Sequence, residues 1–258
     1  MKQWQRAGWI GFLVVMAALF LVGSAAGQET WVIGTSADYP PFESVDEDGE
    51  FVGFDMDLIR EIGARLDREV EIQDMDFGAL IAALERGRID AVIASMSPTP
   101  ERRERVDFTD AYYQSRQGIL VHPDTDVEIN SLEDFMQYEF AVQTGTTMDD
   151  WATNRVEEGL IEDGQIRRYG DVTVAAMDLR NRRVEAFMLD LAVAYSLAAD
   201  LGLDVAVEVQ IEEAGNPGIL LPKGSDEELE KINAVLAELR EEGFIDELID
   251  TWLRGVYE

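Results

Sequence analysis

Three short stretches carry the residues that could do chemistry. The first, "IDAVIASMSPTPERRERVDFT" (89–109), runs from an apolar strand into Ser95, Ser97, Thr99, Pro100 and Arg102. Thr99 suits a helix N-cap and Pro100 the first helical position, so Arg102 falls in the first turn. A cation there opposes the helix dipole. A bound anion would reverse that cost, because the free N–H groups of a helix start attract anions and an arginine can grip a carboxylate with two parallel hydrogen bonds. Ser95 and Ser97 alternate along the strand, so their hydroxyls can share one side. Equally, Arg102 can be a solvated member of the run Glu-Arg-Arg-Glu-Arg, paired with Glu104 or Asp107. The segment alone fits both readings.

The second stretch, "VQTGTTMDDW" (142–151), repeats the arrangement: a strand end, a glycine, two hydroxyl residues (Thr146 and Thr147) and a helix start. The third, "VEAFMLD" (184–190), ends a strand in Asp190. In open α/β sheets, ligands bind beyond the carboxyl ends of strands, where these residues fall. Arginine and hydroxyls on one side and an aspartate on the other suit a zwitterion, with carboxylate on Arg102 and ammonium on Asp190. Taken singly, Asp190 reads as the N-cap of a helix starting at Leu191, and Thr146 and Thr147 as caps of their own helix.

Other chemistries lack their residues. The chain has no cysteine, hence no disulfide, thiolate metal site or thiol nucleophile. Its one histidine, His122, sits in "VHPDTD", which reads as a structural loop. "GTSADYP" (34–40) lacks the lysine of a phosphate-binding loop. No catalytic residue, metal or cofactor is assigned.

The elements that must position these residues alternate along the chain. Trp31–Gly34 reads as a strand; Leu58, Ile59, Ile62 and Leu66 recur at helical spacing; Phe77, Leu80, Ile81 and Leu84 do so again, with Asp76 as N-cap. Strand 89–94 and the helix of Arg102 follow. A second series has strands at 139–143, 166–169 and 184–189, and helices at 148–158, 173–182 and 191–201. Ser225 and Glu228 form a capping box before Leu229, Ile232, Leu236 and Leu239, and Phe244, Leu248 and Trp252 line a last helix. Such alternation predicts an α/β protein with largely parallel sheets, in two lobes.

Lys2 and Arg6 precede an apolar run from Trp9 to Val22 and then Gly-Ser-Ala-Ala-Gly, which reads as a secretory signal over 1–26 cut after Ala26; an uncleaved anchor is the alternative. The chain has a net charge of −32. Without Lys2 and Arg6, 19 basic residues face 53 acidic ones, a charge of −34, and Lys223 and Lys231 are the remaining lysines. Such a surface repels nucleic acid and anionic membrane. With 47% hydrophobic residues in periodic segments, it reads as a folded protein of a salty environment.

The segments "GFDMDLIREIGARL" (53–66), "GTSADYPPFE" (34–43) and "LIAALERGRIDAVIASMSPTPERRERVDFTDAYY" (80–113) together resemble the extracellular solute-binding proteins of polar amino-acid ABC transporters, over nearly all of residues 30–257. The resemblance implies a type II periplasmic-binding-protein-like fold: two lobes, each a mixed sheet flanked by helices, closing on a ligand in the cleft. It divides the chain into 29–115 (lobe 1, first part), 116–212 (lobe 2) and 213–258 (lobe 1, C-terminal part). By position it gives Arg102 the α-carboxylate and Asp190 the α-ammonium. Ser95, Ser97 and Thr146 become hydroxyl or main-chain ligands, with Thr147 beside them, and Tyr39 and Phe77 sandwich the side chain. Phe77 also fits the apolar stripe of its own helix. Family members selective for basic amino acids or glutamine often carry aspartate where this chain has Ser36, and Asp38 and Glu43 stand nearby as substitutes. The expected ligand is a polar or cationic L-amino acid, the partner an inner-membrane ABC permease, the location the periplasm and the state a monomer. The alternatives are a periplasmic dehydratase on the same fold, acting on cyclic carboxylic acids, and a ligand-sensing module.

Overall fold

A computed structural model describes residues 29–253. The expected signal segment, residues 1–26, lies outside the described residues, as do residues 254–258. Strand β1 (Glu29–Thr35) leads to a small antiparallel sheet of β2 (Asp38–Tyr39), β3 (Glu43–Val45) and β4 (Phe51–Val52). Helix α1 (Phe54–Arg65) buries Leu58, Ile59 and Ile62, and Asp55 and Asp57 in its first turn favour the dipole. Gly53 before it has φ +129°, and a Cβ there would stand 2.2 Å from the Phe42 carbonyl oxygen. Only glycine fits that close approach.

Strand β5 (Arg68–Asp74), helix α2 (Leu80–Glu85), strand β6 (Ala91–Val92), helix α3 (Pro100–Arg105) and strand β7 (Val106–Phe108) complete this part of the chain. The chain then builds a second sheet. Its elements are β8 (Gln117–Val121), α4 (Leu132–Phe135), β9 (Phe140–Gln143), α5 (Thr147–Glu157), β10 (Ile166–Tyr169), α6 (Val172–Arg180), β11 (Ala186–Asp190), α7 (Leu191–Leu201) and β12 (Asp204–Val209). Strand β13 (Leu220–Pro222) returns to the first sheet, and α8 (Asp226–Glu241) and α9 (Phe244–Leu248) follow.

The first sheet has the order β5-β1-β6-β13-β7, parallel from β5 to β6 and antiparallel around β13. The second has the order β10-β9-β11-β8-β12, with β8 antiparallel to both neighbours. The architecture is therefore two-lobed α/β with mixed sheets. Central strands such as β8 and β11 are buried throughout, as strands covered on both faces must be. Edge strand β12 instead alternates, with Asp204 and Glu208 facing water, which discourages pairing with another chain. Behind β9, the rings of Phe135 and Phe140 lie 4.3 Å apart and both meet Trp151. Each such buried side chain contributes roughly 1.5–3 kcal/mol.

Two crossing segments, 109–116 and 210–219, join the lobes side by side. Thr109 N–H donates to the Ile219 carbonyl at 2.9 Å and Tyr112 N–H to that of Pro217 at 3.1 Å.

Several local expectations change. The strand expected over 89–94 shrinks to Ala91–Val92, because Ser95 turns into the left-handed region with φ +47°. Ser225 precedes α8 without a side-chain cap, and the Glu228 carboxylate meant to complete the box is taken by the Arg68 guanidinium. Asp76 likewise makes no side-chain cap; a single 3₁₀ turn, Phe77–Ala79, leads into α2.

Candidate functional site

A small cavity lies between the lobes. Tyr39, Phe77, Ser95, Ser97, Arg102, Thr146, Thr147 and Asp190, singled out from sequence, all line it. Ser36, Asp38, Glu43, Ser115, Gln117, Gln143 and Met148 line it too.

Arg102 is held as the local sequence dictates. Thr99 Oγ1 caps α3 by accepting from the Arg102 N–H at 3.2 Å, and Pro100 starts the helix. The side chain does not enter solvent; it is 8% exposed. Nη1 donates to the Ser97 carbonyl at 2.6 Å and Nη2 to the Gly145 carbonyl at 2.8 Å. The alternative of a solvated arginine paired with Glu104 or Asp107 therefore fails, and Asp107 instead pairs with Lys223 at 2.8 Å. A guanidinium carries five N–H donors, so three remain beyond the two carbonyls. Its carbon also sits 5.7 Å from the Phe77 ring centre.

Ser95 and Ser97 both reach the cavity, but not by strand alternation. The left-handed turn at Ser95 is a strained conformation for a side-chain-bearing residue. It is fastened by the Ser95 N–H, which donates to Asp55 Oδ2 at 2.9 Å. Ser97 Oγ donates to the Gly215 carbonyl at 2.6 Å, tying the wall to the second crossing segment.

From the other lobe, Thr146 caps α5, its Oγ1 accepting from the Asp149 N–H at 3.3 Å and donating to the Gln143 carbonyl at 2.7 Å. Asp190 caps α7: Oδ1 accepts from the Ala192 N–H at 2.9 Å, and Oδ2 from the Ser115 hydroxyl at 2.5 Å. The capping role is thus filled, yet each oxygen keeps acceptor capacity toward the cavity. Tyr39 lies in strand β2. Its hydroxyl accepts from the Asp190 N–H at 3.0 Å while its ring packs 6.3 Å from that of Phe42.

The lobes touch through these groups. Arg102 reaches Gly145, Tyr39 reaches Asp190, and Asp38 Oδ2 accepts from the Val172 N–H at 2.7 Å. The cleft is closed.

Charge is distributed unevenly around it. Arg102 is the cation lining the cavity, against the carboxyls of Asp38, Glu43 and Asp190. Burial pushes the Asp190 carboxyl up to about 6, opposed by the Ser115 hydroxyl and the Ala192 N–H. Burial also raises Asp38, opposed by the Val172 N–H and the Ser36 hydroxyl. Burial lifts Glu43 well above the usual carboxylate range, and the adjacent Asp55 adds to it. Asp55, behind Glu43, rises to about 7 through burial, opposed by the Tyr112 hydroxyl and the Ser95 N–H.

Sequence reasoning named Glu43, with Asp38, as a substitute for the aspartate that Ser36 replaces, and missed Asp55, Gln117 and Gln143. A signal for the glutamines existed: each is the polar terminal residue of an otherwise apolar strand, "QGILV" and "FAVQ". For Asp55 the acidic first turn of α1 supplied a sufficient local explanation, which hid its burial.

The model of the bacterial extracellular solute-binding proteins, family 3, matches residues 31–255. The chain is 32% identical over 261 residues to the arginine-binding extracellular protein ArtP of Bacillus subtilis (strain 168), covering 99% of each chain. Among solved structures, an ancestral arginine-binding protein bound to arginine superposes with a TM-score of 0.80 at 36% identity, covering 87% of this chain and 98% of that one. The ancestral amino acid-binding protein AncCDT-1, a precursor of cyclohexadienyl dehydratase, superposes with a TM-score of 0.78 at 32% identity, covering 87% and 96%.

Proposed function

The chain belongs to the bacterial extracellular solute-binding proteins of family 3, and on that premise we propose that its cleft binds a cationic L-amino acid, arginine first among them, for delivery to an ABC-type permease. The observation that carries the reading is the cavity's charge: one guanidinium among three lining carboxyls, with a fourth directly behind. The three free donors of Arg102 take the α-carboxylate. Asp190 takes the α-ammonium. That leaves Asp38, and Glu43 once it ionises, as negative charge that a cationic side chain would balance. Tyr39 and Phe77 supply apolar walls for the aliphatic stem, and Thr146 and Thr147 complete the end of the cleft near Arg102. The arginine-binding relative and the arginine-bound structure support the same ligand class. The protein acts outside the cytoplasm, in the periplasm or at the cell surface, and as a binding protein rather than an enzyme. Ligand contacts to both lobes favour the closed form, the form presented to the permease.

A dehydratase on this fold needs a placed general acid, and protonated Glu43 is one. A polycarboxylate substrate, however, would meet a single cation and several carboxyls, so binding is the better-supported function.

Calorimetric titration with the common L-amino acids tests the proposal. Arginine, lysine or ornithine should bind most tightly, and glutamate and aspartate should not bind. Preference for an acidic or purely aliphatic amino acid would overturn it.

A further inference from the structure

Asp190 divides its two carboxylate oxygens between two parts of the chain. Oδ1 accepts from the Ala192 N–H at 2.9 Å, which is enough to cap α7. Oδ2 accepts from the Ser115 hydroxyl at 2.5 Å, within the range of charge-assisted O–H···O⁻ bonds. Ser115 belongs to neither α7 nor the strand that Asp190 ends; it sits on the first crossing segment and lines the cavity. A relay of donors directs its proton. The Ile211 N–H, on the second crossing segment, donates to Gln117 Oε1 at 3.4 Å, which turns the Gln117 amide nitrogen toward Ser115 Oγ, 3.3 Å away. With an N–H arriving at its oxygen, the Ser115 hydroxyl keeps its own proton for Asp190. Asn216 Oδ1, also on the second crossing segment, accepts from the Ser115 N–H at 3.1 Å and holds the backbone there. Deepening the reading of an amino-acid ligand, and resting on it, we infer that Ser115 is the positioning residue of Asp190: it turns the free lone pairs of that carboxylate toward the α-ammonium and holds them there as acceptors.

A carboxylate offers about four acceptor positions. The Ala192 N–H and the Ser115 hydroxyl take one on each oxygen, so the group cannot rotate without breaking a bond. What remains faces the cavity. A donor bonded to the charged form also favours that form. The titratable and charged groups facing Asp190 are Arg116 on the same crossing segment, Glu43 from β3, Asp55 from α1 and Tyr39 from β2. Tyr39 receives the Asp190 N–H and leaves the carboxylate to Ser115. All of these groups stay in a variant that lacks only the Ser115 hydroxyl, so comparison with the wild-type protein isolates that one bond. Without it, Asp190 takes up its proton at a higher pH, and a protonated Asp190 has no charge to offer an ammonium. The loss of affinity should therefore be greatest near pH 6, where burial already places the Asp190 carboxyl, and shrink toward pH 8.

The test is calorimetric titration of the full protein with L-arginine and with 5-guanidinopentanoic acid, at pH 6, 7 and 8. Ser115→Ala should weaken arginine binding about tenfold or more at pH 6 and by less at pH 8. The analogue, which has no amino group, should bind the variant and the wild-type protein alike. Ser115→Thr keeps the hydroxyl and should restore the wild-type profile. Equal losses for the two ligands, or a loss for arginine that does not change with pH, would mean that the hydroxyl serves the fold or meets the ligand itself, and overturns the positioning role. Carbon-13 NMR of the Asp190 carboxyl in the ligand-free protein reads the same bond without a ligand. Asp190 should titrate at a higher pH in Ser115→Ala, and an unchanged titration overturns the inference. Absence of arginine binding by the wild-type protein would instead overturn the functional reading, and the NMR titration would still decide for or against Ser115.

Discussion

The guanidinium of Arg102 in one lobe donates to the carbonyl of Gly145 in the other, at 2.8 Å. A single side chain therefore joins the start of α3 to the turn before α5 while keeping donors for a ligand. The first-turn cation is tolerated because it leaves its own helix's dipole and reaches across the cleft. Gly145 is suited to that contact, with φ +77° in the left-handed region that glycine adopts freely.

Arg102→Ala should lose about 2–5 kcal/mol of ligand binding, since the α-carboxylate would remain desolvated without its partner. That is roughly 30- to several-thousand-fold in affinity. Arg102→Lys should fall between, because an ammonium cannot serve the carbonyls and a carboxylate with the planar fork. Titration calorimetry on both variants checks this. Affinity unchanged in Arg102→Ala would remove Arg102 from the site.

Asp190→Asn retains an oxygen able to cap the Ala192 N–H, so the fold of α7 should survive. The α-ammonium loses its counter-charge. Arginine affinity should drop at least tenfold, whereas 5-guanidinopentanoic acid, which lacks the amino group, should bind both forms alike. Equal losses for the two ligands would mean that Asp190 acts through structure alone.

How far the sequence carried this site depends on the residue. Thr99, Pro100 and Arg102 were legible because capping is a local rule, and the structure reproduces it. Asp190 was legible as a cap for the same reason, and its place on the cavity wall adds to that role. Strand 166–169 and helix 191–201 fell on their observed bounds, the helix because Asp190 caps its start and Gly202, in the left-handed region, ends it. Local rules failed where a distant partner competed. Glu228 could not complete its capping box because Arg68, distant in sequence, claimed it. The strand ending in Ser95 could not run on because Asp55 holds the Ser95 N–H in a left-handed turn. The Glu43–Asp55 pair, joined only in three dimensions, had no pattern to betray it.

That pair and Asp190 give the ligand-free protein an unusual pH profile. Burial raises Asp190 from 3.8 to about 6 and Asp55 from 3.8 to about 7. An acid with a raised folded-state pKa binds its proton more tightly when native. Its stability contribution therefore falls as pH climbs from its unfolded value to its folded one and levels off above that. Each group costs about 1.4 kcal/mol per pH unit inside its window. The ligand-free melting temperature should decline through about pH 5 to 7, with no recovery above that range because Glu43 is raised as well, and Asp55→Asn should make the decline shallower. Exposed carboxylates with lowered pKa values, such as Glu85 and Glu242, act below this range and do not mask it. A melting temperature that rises with pH across the interval would contradict the raised carboxyls.

Salt should separate the surface from the site. The chain carries 53 acidic residues against 21 basic ones, and the arginines are shared among the carboxylates: Arg65 alone draws Glu61, Glu238 and Glu242 within 4 Å. The excess negative charge repels itself over the surface. Raising ionic strength from 0.1 to 1 M shortens the screening length from about 10 to about 3 Å, which relieves that repulsion and should raise the melting temperature, equally in sodium and potassium chloride. The cleft is closed and Arg102 is 8% exposed, so screening reaches its contacts with the ligand far less. Arginine affinity measured at the two salt concentrations should therefore change by less than tenfold while the melting temperature climbs by several degrees. A flat melting temperature would show that the acidic surface is not a salt-dependent liability. A collapse of affinity with salt would place the ligand's charges in solvent, outside the cavity lined by Arg102, Glu43 and Asp190.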